Sequence, residues 1–544
     1  MDRTLARIAL RENRRGLIGF ALLVLVMMLA QAAGFAQIAG TTAAARQEFA
    51  HSMEVLAKQF SWLFPDPVRI DTVGGFLQWR AFSFAAAVLG VWAVFLGVGA
   101  VRRGEERGLL DQWLGAGVPR LRLLAVRALA GVASLGAVVV VMCLAAVIGA
   151  AAAHESLDAL GLAGIGLSVW TLTCACFGLA LLLSQVLRGR RAAYGAGAAV
   201  VVALFLLNGF ARQIDGLRPV RVISPFFWYD KASALAAGAT YDAAAVVVML
   251  VAAAVLVTLA GAALLRRDTG SGLLHPRART RAAVVAPSRN PLLRLPVPAT
   301  LYRQRWALLA WCTGMAVGAV FVVGVAKPAA DLIDSTPQLR RLLPTVAHSV
   351  ATAQLYVGWA WFGLAALMCA AYAVTVVARW SSDDLEGRLA AELSAPVSRT
   401  AVVVERLAEA FAALLLLAAV CAAAVLLGGV LFGVSLDAGG VLLSCALLVP
   451  LGMVFAAAGG VLTALLPRGT VAALAGVAVA SYLLFTLGPL FKLPNWALDF
   501  SVFQLYGTPL VEGLFVTGLV ALLVAWAVGA AASLAALRRR EVGG

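Results

Sequence analysis

Charge is scarce in this chain of 544 residues: 13% are Asp, Glu, Lys or Arg, against 62% that are hydrophobic. A soluble domain carries roughly a quarter charged residues, so a water-soluble globule is excluded. Lysine is scarcer still, with only Lys58, Lys231, Lys327 and Lys492, none of which follows a glycine. A phosphate-binding loop of the Gly-Lys-Ser/Thr type needs that lysine on the β/γ oxygens, so the chain has no such nucleotide site of its own. The four histidines, His51, His154, His275 and His348, lie scattered in loops, and no serine or cysteine stands near a base at membrane depth. Neither a metal site nor a catalytic residue is expected. The cysteines, Cys143, Cys174, Cys176, Cys312, Cys369, Cys421 and Cys445, all fall in apolar runs, where they act as small apolar residues and form no disulfide framework. Cys174 and Cys176 sit two apart, which on a helix turns them to different faces.

Long apolar runs are what the sequence has in abundance. Stretches of about 20 residues match the ~30 Å hydrocarbon layer crossed as helix, and they predict an all-α polytopic membrane protein. We place twelve spans at 16–36, 81–101, 128–151, 160–187, 192–211, 243–265, 307–326, 356–378, 410–435, 440–466, 470–490 and 513–537. With both termini cytoplasmic, 31 of the 43 Lys and Arg residues fall on the inside, leaving that side at +18 and the other at −2. This is the positive-inside bias. It accounts for the formal net charge of +16 without a nucleic-acid partner. Residues 1–36 imitate a secretory signal, but the apolar run is long and the segment reappears mid-chain, so it is read as a retained span.

That reappearance is systematic. At an offset of 279, residues 105–127 lie on 384–406 without a gap. The identities are Gly108/Gly387, Leu110/Leu389, Leu114/Leu393, Ala116/Ala395, Val118/Val397, Arg120/Arg399 and Arg127/Arg406, and the same offset pairs Pro65 with Pro344. At offset 291, Leu10-Arg11-Glu12-Asn13-Arg14 lies on Leu301-Tyr302-Arg303-Gln304-Arg305. At offset 277, Ser224-Pro225-Phe226-Phe227-Trp228-Tyr229 lies on Ser501-Val502-Phe503-Gln504-Leu505-Tyr506. Each copy holds six spans, an even number, so both insert with the same orientation, as two parallel six-helix repeats. The expected organisation is a first half at 1–265, a polar linker rich in Arg and Pro at 266–300, and a second half at 301–544.

The segment after the second span of each copy is amphipathic. Leu110, Trp113 and Leu114, and in the second copy Leu385, Leu389 and Leu393, share a face, with Glu105, Glu106, Asp111 or Asp384, Glu386, Glu392 elsewhere. A helix lying on lipid headgroups is one reading. However, anionic lipid repels carboxylates, and a polar face rich in them suits a protein partner better.

With its leading basic amphipathic helix at 1–15, its six spans per half, and the motif Glu-x-x-Gly-x-Leu-x-x-x-Leu-x-Ala-x-Val-x-Arg after the second span, the chain resembles type 2 ATP-binding-cassette (ABC) exporter permeases. The fused double-length form is similar to polyketide-antibiotic (tetronasin-type) exporter permeases of Gram-positive bacteria. The resemblance implies that the segments at about 104–120 and 383–399 are coupling helices that dock on separate ABC ATPase subunits. It assigns Glu105, Glu106, Gly108, Leu110, Leu114, Arg120, Asp384, Glu386, Gly387, Leu389, Leu393 and Arg399 to docking. Two docking elements imply two ATPase copies, which would bind the ATP and Mg; this chain binds no cofactor. The resemblance also implies a bacterial plasma-membrane location, export as the direction, and an antibiotic-, drug- or lipid-like cargo. The lack of charge inside the spans likewise favours an amphipathic or lipophilic one. Pro225, Phe226 and Trp228, with Phe503 and Tyr506, are the expected outer gates, although Val502 stands where the first copy has Pro225. Trp92, Phe95, Asn208, Trp359, Trp361, Tyr482 and Phe485 are the residues placed to line a substrate path, though interfacial anchoring and helix packing also explain aromatics at these depths.

Two other readings share the fold. An ion-coupled carrier uses twelve spans in two parallel halves, but needs ionisable groups inside the membrane. None occurs within the twelve spans, with Glu405 and Glu409 at the cytoplasmic mouth of the ninth. A non-transporting membrane anchor or regulator of an ATPase keeps the docking and drops the pore.

Overall fold

The computed structural model describes residues 2–59, 65–187, 189–239, 241–269, 272–273, 291–335, 351–488 and 494–540. Most of the expected linker and the Pro344 counterpart of Pro65 lie outside the described residues. All regular structure among the described residues is helical. Among the described residues eleven helices are long and apolar enough to cross a membrane, which makes the chain a multi-pass membrane protein. The eleventh expected span, at 470–490, is the shorter helix Thr470–Leu487. Its apolar stretch Thr470–Thr486 is about 26 Å long at 1.5 Å per residue, short of the ~30 Å layer. The turn before it is held by the Thr470 hydroxyl, which donates to the Leu462 and Leu466 carbonyls at 3.1 and 2.8 Å.

The chain divides into two compact units, Met1–Arg281 and Ala282–Gly544. In the first, α1 (Asp2–Ala33) is unbroken, so the leading basic segment and the first span are one helix and not two. There follow α2 (Phe35–Ala39), α3 (Ala43–Gln59), α4 (Val73–Glu106), α5 (Leu109–Gly115), α6 (Arg120–Ala152), α7 (Ala159–Val186), α8 (Arg190–Gln213), α9 (Pro225–Lys231) and α10 (Ala243–Arg266). Asp158 and Asp242 cap α7 and α10 by accepting from first-turn N–H groups. The centre of the unit is α7, 78% of whose apolar stretch is buried, whereas only 28% of α10 is, leaving an aliphatic face for lipid. Small residues allow the close contacts: a β-carbon on Gly97 of α4 would sit 2.5 Å from the Phe177 carbonyl oxygen of α7.

The second unit runs α11 (Pro296–Arg303), α12 (Arg305–Ser335), α13 (Thr352–Leu385), α14 (Arg388–Leu393), α15 (Arg399–Phe432), α16 (Ala438–Leu465), α17 (Thr470–Leu487), α18 (Asn495–Leu498), α19 (Val502–Tyr506), α20 (Pro509–Glu512) and α21 (Val516–Arg539). Its leading helix is separate, broken from the span at Gln304. The Gln304 amide donates to Glu409, which is buried and not at an open mouth; Arg379 approaches the same carboxylate at 3.4 Å. The interior of this unit is α16, with 72% of its apolar stretch buried. Both α4 and α13 contain a wider π-helical turn near their start, Leu77–Phe82 and Val357–Phe362.

Substituting Gly97→Val should lower the melting temperature of the detergent-solubilised protein by several degrees, because the backbone oxygen it meets has nowhere to go. Gly195→Ala, where an added β-carbon meets nothing within 4 Å, should leave it unchanged; equal melting of the two variants refutes the close packing of α4 on α7.

Candidate functional site

The two short helices that follow the second span of each unit are built alike. Gly108 (φ +67°) and Gly387 (φ +76°) adopt the left-handed conformation that lets α4 and α13 stop and α5 and α14 begin. A side chain there costs about 1–2 kcal/mol. Leu110 is buried with Leu5, Val118 and Leu123, flanked by Trp113 and Leu114. Leu389 is buried with Val402, Val403 and Leu537, flanked by Leu393. The apolar faces therefore pin each short helix to its own unit, with Leu110 and Leu389 buried and Leu114 and Leu393 half-buried. Leu385, expected on the same face, is exposed.

Glu105 and Asp384 also face inward. The Glu105 side chain is 4% exposed; Arg102 donates to it at 2.8 Å and Arg267 pairs with its other oxygen. Arg102 also donates to the Ser184 carbonyl at 2.6 Å and to that of Leu187, and Arg267 to the Gln185 side-chain oxygen at 2.8 Å. One buried carboxylate thus joins the ends of α4, α7 and α10. Asp384, 5% exposed, pairs with Arg540 just beyond α21.

The arginines of the repeated motif serve the same junction. Arg120 Nη1 donates to the Leu264 and Arg267 carbonyls at 3.3 and 2.9 Å. Arg399 Nη1 donates to those of Leu537, Arg538 and Arg540 at 3.1, 2.9 and 2.8 Å. A helix end leaves carbonyls without partners and carries a partial negative charge, so a guanidinium there satisfies both. The carboxylates that are exposed at each short helix are Glu106 and Asp111 in the first unit, and Glu386 and Glu392 in the second. Glu106 meets Arg190 at 3.1 Å, and Arg388 lies between Asp383 (2.6 Å) and Glu386. The hydrogen bond that Arg388 donates to Asp383 holds the guanidinium above its ordinary pKa.

The residues expected along a substrate path have different surroundings within their own units. Trp92 is buried and stacked on Phe20 at 4.8 Å; Phe95 is half exposed beside Tyr194. Trp361 is buried and donates to the Cys421 sulfur at 3.2 Å, whereas Trp359 is exposed. Tyr482 and Phe485 pack on the second unit's core. The gate segments follow one pattern in both units. Ser224 and Ser501 each donate to a carbonyl, of Leu204 and Ser481, at 2.7 Å. Phe226 meets Phe205 edge-on at 5.2 Å, and Phe503 meets Tyr482 likewise at 5.3 Å. Pro225 opens α9, and the Trp228 indole donates to the Val222 carbonyl at 2.8 Å.

Asn208 lies on a cavity, in company the sequence reading did not name. Its amide donates to Asp230 at 2.9 Å, and its oxygen accepts from Arg221 at 2.7 Å. Arg212 and Arg221 also bind Asp230, at 2.6 and 3.0 Å. Burial pulls the Arg221 pKa below its ordinary value, against the opposing effect of Asp230. A cavity of about 510 Å³ opens on this cluster, with a second of about 240 Å³ beside it. The wide turn of α4 places Gln78 at the wall, where its oxygen accepts from the Leu235 and Ala236 N–H groups at 2.7 and 2.9 Å. The available signal was the charge gathered in the loop that follows Asn208, Arg212, Arg221 and Asp230 among it.

Residues 8–269 match the family model described as ABC-2 family transporter protein. Residues 293–538 match the model described as multidrug efflux system permease Rv1217c, C-terminal domain. No curated protein matches the chain. The two matched stretches span nearly the whole sequence, and the chain belongs to the type 2 ABC exporter permeases.

Glu105→Gln should destabilise the protein by about 3 kcal/mol or more, since it leaves two buried guanidinium groups short of a counter-charge. Glu106→Gln, at a half-exposed pair, should cost well under about 1 kcal/mol. Thermal unfolding of the two variants checks the contrast, and equal losses refute the buried junction.

Proposed function

We propose that the chain is the membrane-spanning subunit of an ATP-driven exporter that moves amphipathic or lipophilic compounds out of a bacterial cell. The observation that carries this reading is the pair of short helices, α5 and α14. Each is entered through a left-handed glycine and tied by a buried carboxylate to residues just beyond its unit's last span, and each keeps its remaining carboxylates on the surface. A motor subunit that grips Glu106 and Asp111, or Glu386 and Glu392, pulls on a rigid junction. The force is delivered to the ends of the spans and is not lost in a flexible loop. Two such feet suit two copies of a separate ABC ATPase, which holds the ATP and Mg, while this chain supplies the passage. Parallel use of Gly108 and Gly387, of Arg120 and Arg399, and of Ser224 and Ser501 supports the reading as two like-oriented halves. The charge bias supports placing both termini and both feet in the cytoplasm, with the Asp230 cluster facing outward.

The test uses the surface carboxylates, because reversing Glu105 or Asp384 would damage the fold. Glu106→Lys with Asp111→Lys, combined with Glu386→Lys and Glu392→Lys, should abolish co-purification of the ATPase encoded beside this gene while the permease still inserts. Retained binding overturns docking at these feet. Native mass of the wild-type complex should show one permease with two ATPases. Vesicles carrying the complex should release a lipophilic dye only with ATP. A bound ATPase without dye movement would mark an anchor and not an exporter.

A further inference from the structure

The two cavities of the first unit share a wall and differ in chemistry. The larger, of about 510 Å³, has the volume usual for a small-molecule site. Its charged lining is balanced, with Arg212, Arg221 and Lys231 against Asp66, Asp230 and Asp242. Both arginines bind Asp230, and Asp66 adds its attraction to Arg221. Lys231 lies over the rings of Phe227 and Trp228, and Asp242 accepts from the first N–H groups of α10. Neither sign of ion is favoured by such a lining, and a charged guest would give up its hydration for groups already engaged with one another. The smaller cavity, of about 240 Å³, is mostly apolar and walled by Phe84, Ala87, Phe205 and Phe226. Where Asn208 meets it, the side-chain amide is taken up on both sides, by Asp230 and Arg221.

The Tyr229 hydroxyl is a second, independent sign. Tyr229 lines both cavities, and its buried hydroxyl has no hydrogen-bond partner. The neighbouring hydroxyls of Ser83 and Ser233 donate elsewhere, to the carbonyls of Gln78 and of Tyr229 itself, at 3.0 and 2.8 Å. Burial pushes the phenol well above its ordinary pKa, so it is an O–H donor at physiological pH. A buried donor without an acceptor is destabilising, and a guest that brings an acceptor removes that cost. In the second unit the offset that aligns Ser224 with Ser501 sets Tyr506 opposite Tyr229, and the Tyr506 hydroxyl donates to the Ser444 carbonyl at 3.0 Å. At this position the two units differ.

We propose that the first unit binds an uncharged amphiphile, with a hydrogen-bond-accepting oxygen at the Tyr229 hydroxyl and a hydrocarbon body among Phe84, Ala87, Phe205 and Phe226. That this guest is cargo rests on the export reading above; that it binds does not.

Full-length permease in phosphatidylcholine nanodiscs is titrated with three probes of one shape, and saturable fluorescence above that of empty discs is read. The first is prodan, an uncharged naphthyl ketone whose emission moves to the red when its carbonyl accepts a hydrogen bond. The second carries a methylene in place of the carbonyl, and the third a carboxylate. Prodan should bind about fivefold more tightly than the methylene probe, the scale of a neutral hydrogen bond, and with red-shifted emission. The carboxylate probe should bind more weakly than prodan. Tyr229→Phe should bring prodan down to the affinity of the methylene probe and leave that probe unchanged, a selective loss that damage to the fold does not produce. Ala87→Trp, which fills the apolar chamber, should remove binding of both. Discs of ether-linked phosphatidylcholine identify the source of the guest. Tighter prodan binding there, absent in Tyr229→Phe, makes a lipid ester the resident occupant, and unchanged binding makes it the free compound. No saturable prodan binding, equal affinity for ketone and methylene probes, tighter binding of the carboxylate, or equal loss of both uncharged probes in Tyr229→Phe overturns the proposal. Binding intact but ATP-driven efflux absent would overturn the export reading and leave this site standing.

Discussion

A guanidinium group at the exposed end of a membrane helix is the interaction on which both units depend. The last span of each has carbonyl groups that no further helical turn can satisfy, at the point where the chain leaves the hydrocarbon. Arg120 and Arg399 supply those carbonyls with donors from the helix that follows the short foot. Glu105 and Asp384 then bind the arginines that come after the last span. The foot, the third span and the last span are joined by these contacts, and the exposed carboxylates act on all three together.

The cost of this arrangement explains where charge is found in a chain that has so little of it. Arg102 and Arg267 are almost wholly buried, and each is matched by an acid or a run of carbonyls. Unmatched, each would be prohibitively expensive so close to the membrane. Glu409 follows the same rule through Gln304 and Arg379, and is better read as part of the frame than as an ion-coupling group.

Much of the fold was legible because apolar length and helix are bound together in a membrane: a run of about 20 apolar residues has few alternatives to a spanning helix. The run at 470–490 stands apart: its described helix, Thr470–Leu487, is shorter than the eleven others and is not counted among them. The repeated motif stands out in the sequence, but the internal contacts of its residues do not. Spacing puts Leu110 and Glu105 on opposite faces of one helix, whereas the reversal at Gly108 turns both inward. Which carboxylate of Glu105 and Glu106 is buried depends on Arg267, more than 160 residues away, and no local pattern shows that. Asn208 was legible as a polar residue in an apolar span; Asp230 was not, because a loop aspartate is unremarkable until two arginines fold onto it.

The two leading helices differ mechanically. At 1.5 Å per residue, α1 is a rod of about 48 Å, and with ~30 Å accommodated by the bilayer the remainder projects as a stiff basic arm. A sideways displacement of that arm tilts the first span as a whole. In the second unit the break at Gln304, whose amide is held by Glu409, makes α11 and α12 two segments, so a push on α11 reaches the span only through that joint. One unit has a crank and the other a knee.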